Sequence, residues 1–335
     1  MKFDGLIASR RAVWLFALGG GILLPWVIEG HFFIFFLVNV FIFAMLSLGL
    51  QLLVGSAGIL SLGHAGFFGI GAYASAILTS KYGVPFAVAL PVSGLLAGIG
   101  GLIMAPIIRL HGVYFAMASF AFGIVICEVF ANWKGLTGGH DGLSMIPSAT
   151  IGPVVFDSPE RFYYLALSML VMQYAGLRYL LDSPFGRALN AMRQNENAVK
   201  SVGINPTSLK LWVIVLGAIT AGIAGSLYAH FNGSVSPQMF RWSQSVTLLT
   251  IVVVGGMQSM RGVLVGTFAL MFISEYARVF SQYSALFNGL LLVFFMVFLP
   301  RGLAGAAWEG CQTVREKVLR RASLRHPSSK DSSRT

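Results

Sequence analysis

Apolar runs long enough to cross a bilayer recur along this chain, separated by short polar joints. A hydrocarbon core takes about 20 apolar residues per helix. On that measure the pattern predicts spans near residues 12–28, 32–54, 59–80, 84–108, 113–131, 162–181, 209–230, 243–260, 262–281 and 285–300. Lipid offers no partner for backbone polar groups, so each span must satisfy its own as a helix. The predicted fold class is therefore all-α, a polytopic integral membrane helix bundle of about 8–10 transmembrane helices. A transmembrane body over 1–301 is followed by a basic tail over 302–335, whose end, HPSSKDSSRT, reads as disordered. Arg10 and Arg11 before the first apolar run resemble a signal peptide. No small-residue cleavage site follows, so that run is read as a retained span.

Two joints are long. Residues 132–161 contain GGHDG and three acidic residues. Residues 182–208 look helical in their middle: Pro184 precedes a helix-compatible run, Leu189, Met192 and Val199 share one face, and Gly203 with Pro206 ends it. The expected element is one helix of about four turns. It carries Arg187, Arg193, Asn195 and Glu196 on a polar face, beside Ala188, Ala191 and Ala198. Spacing alone suits either a lever between two spans or an amphipathic helix resting on headgroups.

Composition agrees with the span pattern. Only 10% of the residues are charged, against roughly a quarter in soluble domains. The net charge of +11 would suggest nucleic acid in a soluble protein, but its distribution follows topology instead. With the N-terminus inside, 18 of the 23 Lys and Arg residues fall on the inner side; Lys81, Lys134, Arg161, Arg241 and Arg278 fall outside. Both termini are then cytoplasmic, 182–208 is a cytoplasmic loop and 132–161 a periplasmic one.

The stretch Gly55–Leu78 is apolar yet crowded with glycine, serine and alanine, and it carries His64. Small residues let helix backbones approach closely in a membrane, so the stretch, with Ser61, Gly63, His64 and Gly66, reads as packing surface. Its glycines, and those of 243–281, could also mark broken or re-entrant segments. His64 could serve a proton relay with Glu128, or could simply fix packing through a backbone carbonyl. Glu275 and Arg278 are spaced to pair on one helix face. Gly94/Gly98 and Gly262/Gly266 are spaced for helix packing. Cys127 and Cys311 show neither pairing nor metal-ligand spacing. No G-x-x-x-x-G-K-[ST] run, HExxH or Gly-x-Ser-x-Gly occurs. The expectation is that the chain is not an enzyme, with no cofactor or metal in it and no nucleic-acid partner.

GRALNAMRQNENAVKSVGIN resembles the cytoplasmic coupling segment of bacterial ABC-importer permeases. Together with GSAGILSLGHAGFFGIGAY, LTGGHDGLSMIP and the VVGGM run, it is similar to the LIV-type branched-chain amino acid permeases, the M-type subunit in particular. The resemblance covers about Phe32 to Gly302. It implies an ABC-importer permease fold and import of branched-chain or related amino acids across the bacterial inner membrane. It also implies a second permease subunit, two cytoplasmic ATPase subunits that bind the ATP, and a periplasmic substrate-binding protein. The family's docking positions match Gly186, Ala188, Ala191, Glu196 and Gly203 here, with Arg187 and Arg193 beside them. Gly255 and Gly256 join Gly63 and His64 as path or packing residues. The family's glycine and proline after the eighth span are Gln258 and Val263 here, which leaves the shape of that turn open. Urea, short amides or aromatic carboxylates are alternative cargoes, and a proton-coupled secondary transporter is the alternative mechanism.

Overall fold

A computed structural model describes residues 31–276, together with Pro25 and Gly289. The expected spans 12–28 and 285–300, Arg278, Cys311 and the tail lie outside the described residues. Residues up to Leu248 form one compact unit and those from Leu249 another.

In the first unit, α1 (His31–Gln51) is apolar on all sides and mostly buried. It ends in a wide π turn over Leu52–Ser56. Gly58, at φ +70°, then lets the Ile59 N–H reach back to the Leu53 carbonyl. The chain runs without helix to Gly63, and α2 (His64–Tyr82) begins. The expected span 59–80 is therefore a break followed by a shorter helix, as its glycines allowed. Left-handed Gly83 closes α2. Next come α3 (Phe86–Ile103), a 3₁₀ turn over Ala105–Arg109, and α4 (Val113–Asn132).

The outer joint holds more structure than the sequence suggested: a single turn α5 (Lys134–Thr137) and three strands, β1 (Leu143–Ser144), β2 (Ala149–Ile151) and β3 (Val154–Phe156). The next long helix, α6 (Pro159–Asp182), starts on a Ser158 cap with proline in its first turn. The inner joint is two helices rather than one, α7 (Pro184–Gln194) and α8 (Glu196–Ser201). Asn195 leaves the helical region and its side chain accepts from the N–H groups of Asn197 and Ala198, capping α8. Asparagine competes for backbone donors in this way, and that local bond is what breaks the expected four-turn helix. Leu189, Met192 and Val199 are buried, as their shared face predicted.

Asn205 caps α9 (Pro206–Asn232), which left-handed Gly233 ends before β4 (Ser234–Val235). α9 packs against α1, α2 and α3, so it is the central helix of the first unit; α6 packs on α1. Close approach is built from paired glycines. A Cβ on Gly71 would overlap the backbone of Gly222, and one on Gly225 that of Phe68. Gly94 and Gly98 face Ile219 and Ile223 of α9, so this GxxxG pair serves packing within the chain.

α10 (Trp242–Gly255) crosses the boundary between the units, and α11 (Met260–Tyr276) lies in the second. The turn between them uses Gly256 at φ +102°. Gln258 and Val263 are accommodated there. Ser259 Oγ accepts from the Gly262 N–H, and the Val263 N–H, which a proline would lack, donates to the Ser259 carbonyl. Gly266 sits against Gly255. Among the described helices four are long and apolar enough to cross a membrane: Phe32–Ser56, Phe86–Ile103, Val113–Asn132 and Pro206–Asn232.

Candidate functional site: the joint between the inner loop and the broken helix

The break at 57–63, the turn at 109–112, the loop helices α7 and α8 and the start of α9 meet at one end of the first unit. Arg193, in the last turn of α7, points inward. Its guanidinium donates to the Gly55 carbonyl at 2.5 Å, and its Cγ lies where a Cβ on Gly58 would come within 3.2 Å. The last carbonyls of a helix lack intrahelical donors and carry partial negative charge. A cation from a distant segment therefore supplies the cap of α1. Glu196, at the start of α8, meets Lys210 of α9 at 2.8 Å, Lys200 at 3.5 Å and the His111 ring at 3.8 Å. The hydrogen bond from Lys210 holds the Glu196 carboxyl below the usual carboxylate range. The two contacts fasten the loop twice, to α1 by Arg193 and to α9 by Glu196.

The break is in turn fastened to the bundle. The Leu62 N–H donates to Ser119 Oγ of α4 and the Ala65 N–H to Ser245 Oγ of α10. Gly63 leaves no room for a Cβ beside the Ser119 carbonyl, and Gly66 faces Gly123. Movement of the 57–63 backbone thus loads α1, α2 and α4 together. Between the loop and the break lies a cavity of about 290 Å³, lined by Arg193, Glu196, Lys210 and His111 and by apolar residues.

The residues singled out in the sequence separate by position. Arg193 and Glu196 face the bundle. Gly186 is buried, and a Cβ there would overlap the Leu181 carbonyl, so its small size serves the α6–α7 joint. Arg187 and Ala191 are exposed and Ala188 half-buried, while Gly203 is exposed at φ +82°; these form the outward face. Ser61 and His64 are fully buried. The His64 ring fills the crevice left by Gly49 and Gly217, edge-on to Phe67, and the Leu46 carbonyl faces it without hydrogen-bond geometry. Glu128 is exposed and accepts from Asn132. Gly255 packs on Gly262, and Gly256 forms the turn. His140 and Asp141 are exposed, and no group of three or more potential metal ligands occurs among the described residues.

Sequence reasoning missed a second network, at the opposite end. Ser226 Oγ donates to Ser75 Oγ at 2.7 Å, Ser75 Oγ meets His230 Nε2 at 3.0 Å, and His230 Nδ1 meets the Pro147 carbonyl at 2.8 Å. A carbonyl can only accept, so Nδ1 carries the proton and Nε2 accepts from Ser75. The signal was available: Ser226 and His230 are four apart and share a helix face. The outer loop is fastened here as well, by β1 pairing with β4 and by Lys81 donating to the carbonyls of Gly135 and Leu136 at 2.8 Å each. Left-handed glycines at 138, 139 and 142 shape GGHDG for that pairing.

A helical bundle with a helical loop over 184–201 and a structured loop over 133–158 has clear relatives. A family model described as branched-chain amino acid transport system / permease component matches residues 32–299. The chain is 36% identical over 286 residues to the high-affinity branched-chain amino acid transport system permease protein LivM of Escherichia coli, covering 78% of this chain and 67% of that protein. The Salmonella typhimurium protein of the same name gives the same identity and coverage. The probable LivM of Methanocaldococcus jannaschii is 24% identical over 224 residues, 61% of this chain and 64% of its own length. No solved structure gives a significant match. With the family model spanning most of its length, the chain belongs to the branched-chain amino acid transport system permease family.

Proposed function

We propose that this chain is one of two permease subunits of an ATP-driven importer that carries leucine, isoleucine and valine across the bacterial inner membrane. The names of its relatives support that cargo, and family membership supports a transport role within a multi-component ABC transporter. A periplasmic binding protein delivers the amino acid to the face formed by residues 132–161. Two cytoplasmic ATPase subunits bind the ATP, for which this sequence has no P-loop. Both termini are cytoplasmic on the charge count.

In this reading the ATPase meets the outward face of Arg187, Ala188, Ala191 and Gly203. Its closure displaces α7 and α8, and Arg193 passes the displacement to the end of α1. The observation that carries the reading is that one side chain of the inner loop is bonded to the break in the bundle. From there the 57–63 backbone hands the motion to α2 and α4. Stiff hydrogen-bonded contacts between bistable elements are how small displacements become rocking of whole helices. Gly63, His64 and Gly66 give the packing that lets the path open within the first unit, and Gly255 and Gly256 give close packing and a turn within the second.

The test is uptake of radiolabelled leucine, isoleucine and valine into proteoliposomes that hold both permease subunits, the ATPase subunits and internal ATP, with binding protein outside. Import of all three, dependent on ATP, is expected. Import of urea, an amide or an aromatic carboxylate in their place would refute the cargo. Import without ATPase subunits would refute the mechanism.

A further inference from the structure

The cavity beside the Arg193–Gly55 contact is lined in three chemically different ways. Arg193 and Lys210 provide cationic groups, Glu196 an anionic one, and Ile59, Leu60, Ile108, Leu110, Phe115 and Met192 apolar surface. Its volume of about 290 Å³ is at the scale of sites for small metabolites. An α-amino acid presents a carboxylate, an ammonium and a side chain from one carbon. Those three groups match the three linings when the side chain is aliphatic. Glu196 stays ionised through its bond with Lys210, so the charged pattern persists at neutral pH.

We propose that this cavity binds a free aliphatic amino acid, the transporter's own product, from the side that bears residues 184–201, and that binding restrains the next cycle. The identity of the product rests on the transport reading above. The restraint follows from position. A ligand spanning α7, α8 and the 57–63 segment binds only the arrangement in which the cavity exists, so it stabilises that arrangement against the one ATP must drive. The apolar surface gives affinity and the charged groups give orientation, as is usual for small-ligand sites.

The test uses the purified transporter in mild detergent without binding protein, equilibrated with radiolabelled leucine. Competitors are valine, 4-methylpentanoate (no ammonium) and 3-methylbutylamine (no carboxylate). Two substitutions act at Leu110, which is 43% exposed and outside the coupling contacts: Leu110→Trp fills the cavity and Leu110→Glu adds an anion to it. Leucine retention is expected to fall at least tenfold in both, and valine alone is expected to displace leucine from the native protein. In proteoliposomes, leucine preloaded in the lumen is expected to slow uptake severalfold for the native transporter and to leave the rate of each variant equal to that same variant's rate into an empty lumen. Retention unchanged by either substitution, or displacement by the two half-ligands as effective as by valine, overturns the proposal; the latter marks a general amphiphile site such as one for lipid. Leucine import with no response to lumenal leucine removes this site alone. Leucine retention without leucine import removes the transport reading alone.

Discussion

Arg193 donates a hydrogen bond to the carbonyl of Gly55, 138 residues earlier in the chain. The contact joins the loop over 184–201 to the point where α1 stops. A hydrogen bond from a charged donor contributes about 1.5–3 kcal/mol, enough for the loop and the helix end to move as one body. Glu196, three residues on, makes the matching attachment to α9.

The Glu196 attachment has a defined pH dependence. Its carboxyl is held below the ordinary value of 4.5, first by the Lys210 hydrogen bond. The stabilisation is therefore full above about pH 4.5 and is lost as pH falls through the lowered value. Glu196→Gln is expected to lower the thermal unfolding midpoint in detergent by a constant amount from pH 7 to about 4.5, with the gap closing below. A gap independent of pH down to 3 would contradict this assignment.

The glycine interface between α2 and α9 tolerates no added volume. Gly71→Val is expected to cost at least the ~1–3 kcal/mol typical of overpacking, because the new atoms overlap the Gly222 backbone. Gly83→Ala, at a helix end where a Cβ meets nothing within 4 Å but φ is +63°, should cost about 1 kcal/mol through strain alone. Unfolding in mixed micelles measures both, and an equal cost at the two sites would show that close approach is not the reason for the glycines.

His230 orients the outer loop through Ser75 and Pro147. His230→Ala leaves a buried hydroxyl and carbonyl without their partner, so a loss of about 1–3 kcal/mol is expected. Hydrogen exchange should rise at Ile146, whose N–H donates to the Gly233 carbonyl. His230→Gln, which can donate to the carbonyl, should restore part of the protection. Exchange at Ile146 indifferent to both variants would remove the network from the loop's support.

Gly142→Ala places a Cβ against the Val235 carbonyl at a φ of +75°. The β1–β4 pair should then separate and release the loop between α4 and α6. Protease access within 138–148 on membrane vesicles reads this directly, with a severalfold increase expected and native-like resistance contradicting it.

The helical bundle was legible because lipid forces a coarse signal, about twenty apolar residues at a time, and the buried face of Leu189, Met192 and Val199 was legible from helical spacing. The break before His64 was legible as a possibility, since Gly58 and Gly63 permit it, but glycine also serves packing and the two uses look alike in sequence. The split at Asn195 was missed because it depends on one side chain outbidding a helical bond. The inward turn of Arg193 could not be read at all: on a helical wheel it lies on the polar face, and only the folded chain brings the Gly55 carbonyl to it. Lys210 and His111 were invisible for the same reason, as partners of Glu196 from separate segments. The short strands of the outer loop fell below any periodicity that two or three residues can express.

Whether Arg193 carries the stroke is read from the number of leucine molecules imported per ATP hydrolysed, measured in proteoliposomes for the native transporter and for Arg193→Gln. The account predicts that the variant assembles and hydrolyses ATP while this ratio falls at least tenfold, because the loop moves without the helix end. An unchanged ratio would show that the stroke reaches the bundle by another route.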